Sequence, residues 1–178
     1  MSTETVAQEK QWPEFSIRPA VEADVDQVLW FIKELASFEN TPDPVTTTSE
    51  QLRQILFGSH RHPDSHALLV YAREADGQEK PVAFALYYYD LFLRGGQLKL
   101  YLVNMFVCSE YRRMGIGKLL LSRLANIASE NGCARMEWRV QDWNQPAIEF
   151  YESIGARQLK GITICQLDKK NMQDIVNF

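Results

Sequence analysis

A chain of 178 residues fits one domain, and 46% apolar residues give it a substantial core. A net charge of −4 excludes the basic bias of a nucleic-acid binder, and no apolar run reaches membrane-spanning length. Cys108, Cys133 and Cys165 match neither a disulfide framework nor a zinc pattern, so they read as buried or half-buried thiols of a reducing, cytoplasmic compartment.

Residues 1–12 are polar, lack a signal-peptide apolar region and read as a flexible leader; 13–178 reads as a single domain. Phe15 to Arg18 is a short strand closed by Pro19. Asp24 caps a helix to about Phe38, with Val25, Val28, Leu29, Ile32, Leu35 and Ala36 at helical spacing. Pro42 and Pro44 make a loop. Thr48 or Ser49 caps a second helix that Gly58 ends. His60, His62 and His66 cluster near Asp64, but their spacing fits no metal pattern, and no metal is expected.

His66 to Arg73 and Pro81 to Tyr89 are strands of a hairpin turning at Ala75–Gln78. In Tyr87-Tyr88-Tyr89, alternation puts Tyr88 on the face opposite its neighbours. Arg94 to Gln97 turns the chain into an apolar strand, Leu98 to Val107. A helix with Ile116, Leu119, Leu120, Leu124, Ile127 and Ala128 on one face follows, ended by Asn131-Gly132. Arg135 to Val140 is the next strand. Asn144 caps a short helix with Pro146 in its first turn, Gly155 ends it, and Ile162 to Leu167 is a last strand before a packing tail, Met172 to Phe178. A crossover helix between Leu98–Val107 and Arg135–Val140 implies a parallel pair at the sheet centre.

The stretch Arg112-Arg113-Met114-Gly115-Ile116-Gly117 joins that strand to that helix. Two glycines let the backbone approach a ligand, and the helix start aims free N–H groups at the turn. Arg112 and Arg113 stand at its rim, with Lys118 just inside the helix. This is a candidate pyrophosphate site. It is neither a nucleotide-hydrolase phosphate loop nor a dinucleotide fingerprint, because the Gly-Lys-Ser/Thr and the third glycine are missing.

That turn resembles the acyl-CoA pyrophosphate loop of the GCN5-related N-acetyltransferase (GNAT) superfamily. Asn144 through Ala156, with Phe150-Tyr151 and Gly155-Ala156, resembles the superfamily's next helix. Ile17-Arg18-Pro19-Ala20, Ile32-Lys33-Glu34-Leu35-Ala36, Ala83-Phe84-Ala85-Leu86-Tyr87-Tyr88 and Asp142-Trp143-Asn144-Gln145 look like the diamine branch, which acts on spermidine, spermine or thialysine. The resemblance implies an α/β (α+β) GNAT fold: a central mixed, mostly antiparallel sheet splayed between two parallel strands and flanked by helices. It implies acetyl transfer from acetyl-CoA to a small primary amine by direct attack on the thioester, with no metal. It also implies a homodimer.

Carried onto this chain, Met105, Phe106 and Val107 present backbone groups to the pantetheine. Arg112, Arg113, Met114, Gly115, Ile116, Gly117 and Lys118 surround the pyrophosphate, and Asn144 and Ala147 complete the coenzyme contacts. Tyr151 lies near the thioester sulfur as the catalytic group. Phe38, Glu39, Tyr88, Val103, Asn104, Asp142 and Trp143 are the amine-side candidates. Val103-Asn104 stands where the polyamine enzymes carry Glu-Asp, so the carboxylate credited with the amine proton is absent. Two other readings remain: a catalytically weak coenzyme- and amine-binding relative, or an acetyltransferase for protein lysines or N-termini.

Overall fold

The computed structural model describes residues 13–59 and 64–176. The expected leader and the histidines at 60 and 62 lie outside the described residues. The chain divides into two compact units, one up to Arg139 and one from Val140 onward.

The first unit holds a five-stranded sheet in the order β1-β2-β3-β4-β5. β1 (Glu14–Pro19), β2 (Ser65–Arg73), β3 (Glu79–Phe92) and β4 (Gln97–Val107) form an antiparallel meander. β5 (Cys133–Trp138) joins β4 in parallel, as the crossover helix implies, but β5 is the last strand in the order of the described sheet, so the parallel pair lies at its edge and not at its centre. Helix α1 (Val25–Glu39) packs on β3 and β4, α2 (Ser49–Phe57) on β2, and α3 (Ile116–Glu130) on β2 through β5. Sheet residues between such layers lose contact with water on both faces. Leu68, Leu69, Val70, Val82, Ala83, Phe84 and Leu100 are accordingly buried.

Local chemistry sets most element ends. Thr48 caps α2 in a reciprocal pairing with Gln51, as its Ser/Thr-x-x-Gln spacing predicts. Gly58 ends α2 in an extended conformation rather than a left-handed one. A Cβ there would sit 2.5 Å from the Gln54 carbonyl oxygen, so close approach demands the glycine. Asp24 does not cap α1 with its side chain, contrary to expectation. Its carboxylate accepts from the Val21 N–H and from Arg18, which supports a single 3-10 turn (Glu22–Asp24) ahead of the helix. Phe31, outside the expected stripe, is the fully buried ring of α1 and stacks on Phe84 with centroids 5.2 Å apart. Burying such a ring is worth about 2–3 kcal/mol.

The second unit contains α4 (Gln145–Ser153) and α5 (Lys169–Val176), with no buried residue in either. The strand expected at Ile162–Leu167 does not form. An isolated strand leaves its backbone groups unpaired, and this segment pairs with no strand of the sheet. Ile162, Ile164 and Leu167 stay exposed, and so does Cys165, against the expectation of a buried or half-buried thiol. Lys169–Val176 is instead a helix, started by the Asn171 N–H donating to the Asp168 carboxylate. No described helix is long and apolar enough to cross a membrane.

Candidate functional site

β4 is longer than the strand beside it. The β4–β5 ladder ends at Leu102 and Trp138, whereas β4 runs on to Val107. Past Leu102, the side of β4 away from β3 therefore forms no ladder with β5. The Cys108 N–H donates to the Val82 carbonyl at 2.9 Å. Antiparallel alternation from that bond directs the groups of Phe106 and Asn104 toward β3. It leaves those of Met105 and Val107 on the open edge. Met105 thus offers its peptide groups to a ligand and Val107 its N–H, the Val107 carbonyl being taken by Arg112, while Phe106 contributes its ring to the α1 side.

The open edge leads into the glycine turn. A 3-10 turn (Ser109–Tyr111) follows Cys108, and the buried Tyr111 fixes it through a hydrogen bond from its hydroxyl to Glu74. That carboxylate pushes the phenol pKa up to about 12. Arg113 then takes φ 64° and Gly115 φ 85°. A non-glycine residue in the left-handed region costs about 1–2 kcal/mol, so Arg113 stores strain at this bend. Gly115 is the α3 N-cap and has no side chain to satisfy the helix. Its carbonyl accepts from Leu119 at 3.0 Å, which starts the ladder. The N–H groups of Ile116, Gly117 and Lys118 come before that first bond, in the first turn, where a helix favours negative charge. Ile116 is buried and anchors the turn, Met114 is half-buried, and Arg113 and Lys118 are exposed without a carboxylate partner among the described residues. The arrangement suits a doubly charged phosphate group.

Arg112 has a different surrounding. Its Nε donates to the Val107 carbonyl at 3.0 Å. Its guanidinium lies over the Phe38 ring at 4.5 Å and 5.5 Å from the Phe106 centroid. Phe38 and Phe106 meet edge to face at 6.3 Å. This contact ties the turn to the C-terminal end of α1, where Glu39 precedes a left-handed Asn40. Burial raises the Glu39 carboxyl above its ordinary pKa.

Several amine-side candidates share the α1 face of the sheet. Phe84, Leu86 and Tyr88 pair with Phe106, Asn104 and Tyr101, and Phe31 and Phe38 lie against that face. Tyr88 rests on Tyr101 at 5.3 Å and takes the face opposite Tyr87 and Tyr89, whose rings meet at 6.2 Å. Val103 is the extra residue of a β-bulge where the register shifts between Leu86 and Tyr87, and it is 43% exposed. On the other face His66 stacks on Tyr87. Its Nε2 lies 3.3 Å from Asp64 without hydrogen-bond geometry. Among the described residues no group of three or more His, Cys, Asp or Glu side chains converges as a metal site would require.

In the second unit the Asn144 oxygen accepts from the Ala147 N–H and caps α4. Gln145 donates to the Asp142 carbonyl at 3.0 Å, and Trp143 is exposed. Tyr151 is half-buried with its ring 5.5 Å from that of Phe150. The left-handed Arg113 and the Arg112–Phe38 contact were not anticipated from sequence. Residue type alone does not mark either, since both depend on how the turn folds back on α1.

The Acetyltransferase (GNAT) family matches residues 29–156 of this chain. Thialysine N-epsilon-acetyltransferase of Sus scrofa is 35% identical over 146 residues, covering 80% of this chain and 84% of that protein. Spermidine/spermine N(1)-acetyltransferase-like protein 1 of Homo sapiens is 34% identical over 169 residues, covering 92% of this chain and 24% of its own length. An integron cassette protein from the mobile metagenome of V. cholerae superposes with a TM-score of 0.69 at 24% identity, over 92% of this chain and 98% of its own, which bears on the fold alone. With the open-edged β4, the glycine turn and these likenesses together, the chain belongs to the GNAT acetyltransferase family and is an N-acetyltransferase of the diamine-acetyltransferase-like kind.

Proposed function

We propose that the protein uses acetyl-CoA to acetylate a small primary amine, diamine- or thialysine-like, by direct attack of the amine on the thioester. The observation that carries this reading is the edge of β4 that runs on past its ladder with β5 into a helix start without a side-chain cap, at a turn whose Arg113 and Lys118 have no carboxylate partner among the described residues. Acetyl-CoA supplies the activated acyl group. Its diphosphate fits the N–H groups of Ile116, Gly117 and Lys118 with Arg113 beside them, and its amide-bearing arm fits the edge-facing groups of Met105 and the Val107 N–H. Asn144 and Ala147 are the contacts proposed from the second unit.

An alkylamine has a pKa near ~10.4, so freeing it of its proton at neutral pH costs about 4–5 kcal/mol. Glu39 is the proposed acceptor of that proton. Its burial brings the carboxyl nearer to neutrality, which makes it a better base at working pH. The apolar Val103 of the bulge is proposed to favour the uncharged amine. Phe38, Tyr88, Asn104, Asp142 and Trp143 are the proposed walls of the amine site. The Val107 N–H is proposed to donate to the thioester carbonyl oxygen as charge develops there. Tyr151 is proposed to donate to the departing sulfur. A phenol near ~10 and a thiol near ~8.5 make full proton transfer uphill by about 2 kcal/mol, so a hydrogen bond to the thiolate is its main contribution. We further propose a cytoplasmic homodimer, the assembly expected of the diamine branch.

The test is release of free coenzyme A thiol with a panel of polyamines, thialysine-like amino acids and arylalkylamines. Turnover with at least one small amine supports the reading. Tight acetyl-CoA binding without turnover on any of them favours a catalytically weak relative.

A further inference from the structure

We propose that Arg112 is a positioning residue that locks the amine-side end of α1 onto the open edge of β4, and that it is not a ligand of the diphosphate. This rests on the acetyl-CoA reading above and assigns one of the two turn arginines a separate task.

The argument is geometric. Arg112 and Arg113 are adjacent, but only Arg113 adopts the left-handed conformation of the bend. Arg112 is extended, with φ −66° and ψ 154°, and its side chain turns back toward the strand it has just left. There its Nε–H occupies the Val107 carbonyl. The planar cation covers the faces of Phe38 and Phe106. Three elements meet at this one side chain: β4 through Val107 and Phe106, α1 through Phe38, and the turn through its own backbone. Arginine suits the task because its Nε can donate within the plane while the flat face stacks, which a lysine ammonium does not do at once. Phe38 is 40% exposed, and both this cation and the Phe106 ring lie against it. Glu39 follows directly and inherits whatever freedom Phe38 gains.

The two roles separate by changing the acyl donor. Acetyl-pantetheine carries the thioester and the amide arm but no phosphate. A diphosphate ligand matters for acetyl-CoA and not for acetyl-pantetheine, whereas a positioning residue matters equally for both. The experiment measures kcat/KM for a competent amine with each donor in the wild type, Arg112→Ala, Arg112→Lys, Phe38→Leu and Arg113→Ala. It also measures coenzyme A affinity by calorimetry and thermal unfolding. Arg112→Ala is expected to lower kcat/KM about tenfold with both donors and to raise the amine KM, while coenzyme A affinity stays within about twofold. Arg112→Lys is expected not to rescue, and Phe38→Leu to give the same pattern without adding to Arg112→Ala. Arg113→Ala is expected to lose with acetyl-CoA alone. The proposal is overturned if Arg112→Ala weakens coenzyme A and spares acetyl-pantetheine, or if Arg112→Lys restores activity. It is also overturned if the loss tracks a fall in melting temperature with both KM values unchanged. A wild type that transfers nothing from acetyl-CoA would instead defeat the reading on which the proposal stands.

Discussion

At the start of β4, Lys99 sits between Asp90 at 3.1 Å and Glu137 at 2.6 Å, and Glu137 also meets Arg135. Past its end, Arg113 and Lys118 have no carboxylate partner among the described residues. The two clusters hang on one strand and differ in what neutralises them. In the first, paired carboxylates hold the charge in the sheet. Lys99 pulls the Glu137 carboxyl below its ordinary value, and Glu137 in turn raises the lysine. In the second, strained backbone and uncapped N–H groups present positive charge with nothing in the described chain to meet it. Spare charge beside a strained turn fits a ligand site, and balanced charge on a regular ladder fits a structural role.

The largest effect should come from adding charge to the second cluster. Gly115→Glu forces a side chain onto φ 85° and places a carboxylate at the helix start. Acetyl-CoA affinity measured by calorimetry should fall by about 100-fold or more. Unchanged affinity would remove the turn from coenzyme binding. Next, Tyr151→Phe should lower kcat about 10- to 100-fold with the acetyl-CoA KM nearly constant. A variant turning over as fast as the wild type would take Tyr151 out of the mechanism. A smaller effect is expected for Arg113→Ala, about fivefold in acetyl-CoA affinity with a flatter salt dependence. Removing the left-handed arginine also swaps one strained residue for another, so stability should barely move.

The smallest effect tests the balanced cluster. Lys99→Met should cost about 1 kcal/mol, seen as a drop of about 2–4 °C in melting temperature, and leave acetyl-CoA affinity untouched. The pH profile has a defined sign. Glu137 is lowered, so its contribution is complete above the ordinary value of 4.5 and is lost as pH falls through the folded pKa. Lys99 is raised, so its contribution is complete below 10.5 and is lost as pH rises through its folded pKa. The stability gap between wild type and variant should therefore be flat between those limits and close at both ends. A gap that instead opens near neutral pH would mean that the pair is not what holds this end of the sheet.

Local signals carried much of the fold. The α1 stripe, the Thr48 cap, the meander and the crossover helix are written in spacing and cap residues, and the structure follows them closely. The failures lie where long-range partners decide. Ile162 to Leu167 has strand composition but pairs with no strand of the sheet, so β-propensity alone does not order it. Asp168 has a cap's position, and α5 formed where only a tail was expected. In the site, the glycine turn was legible because Gly115 and Gly117 are rare enough to notice. The division of labour between Arg112 and Arg113 was not, because it arises from a left-handed φ at one and a ring on another helix at the other.

The central claim is that the helix start at Ile116–Lys118, beside Arg113, grips the diphosphate of acetyl-CoA. A crystal structure with bound coenzyme A tests it most directly. The account predicts diphosphate density within hydrogen-bond distance of the Ile116, Gly117 and Lys118 nitrogens, with the pantetheine arm against Met105 and Val107. Coenzyme bound with its phosphates at any other surface, and this turn bare, would contradict it.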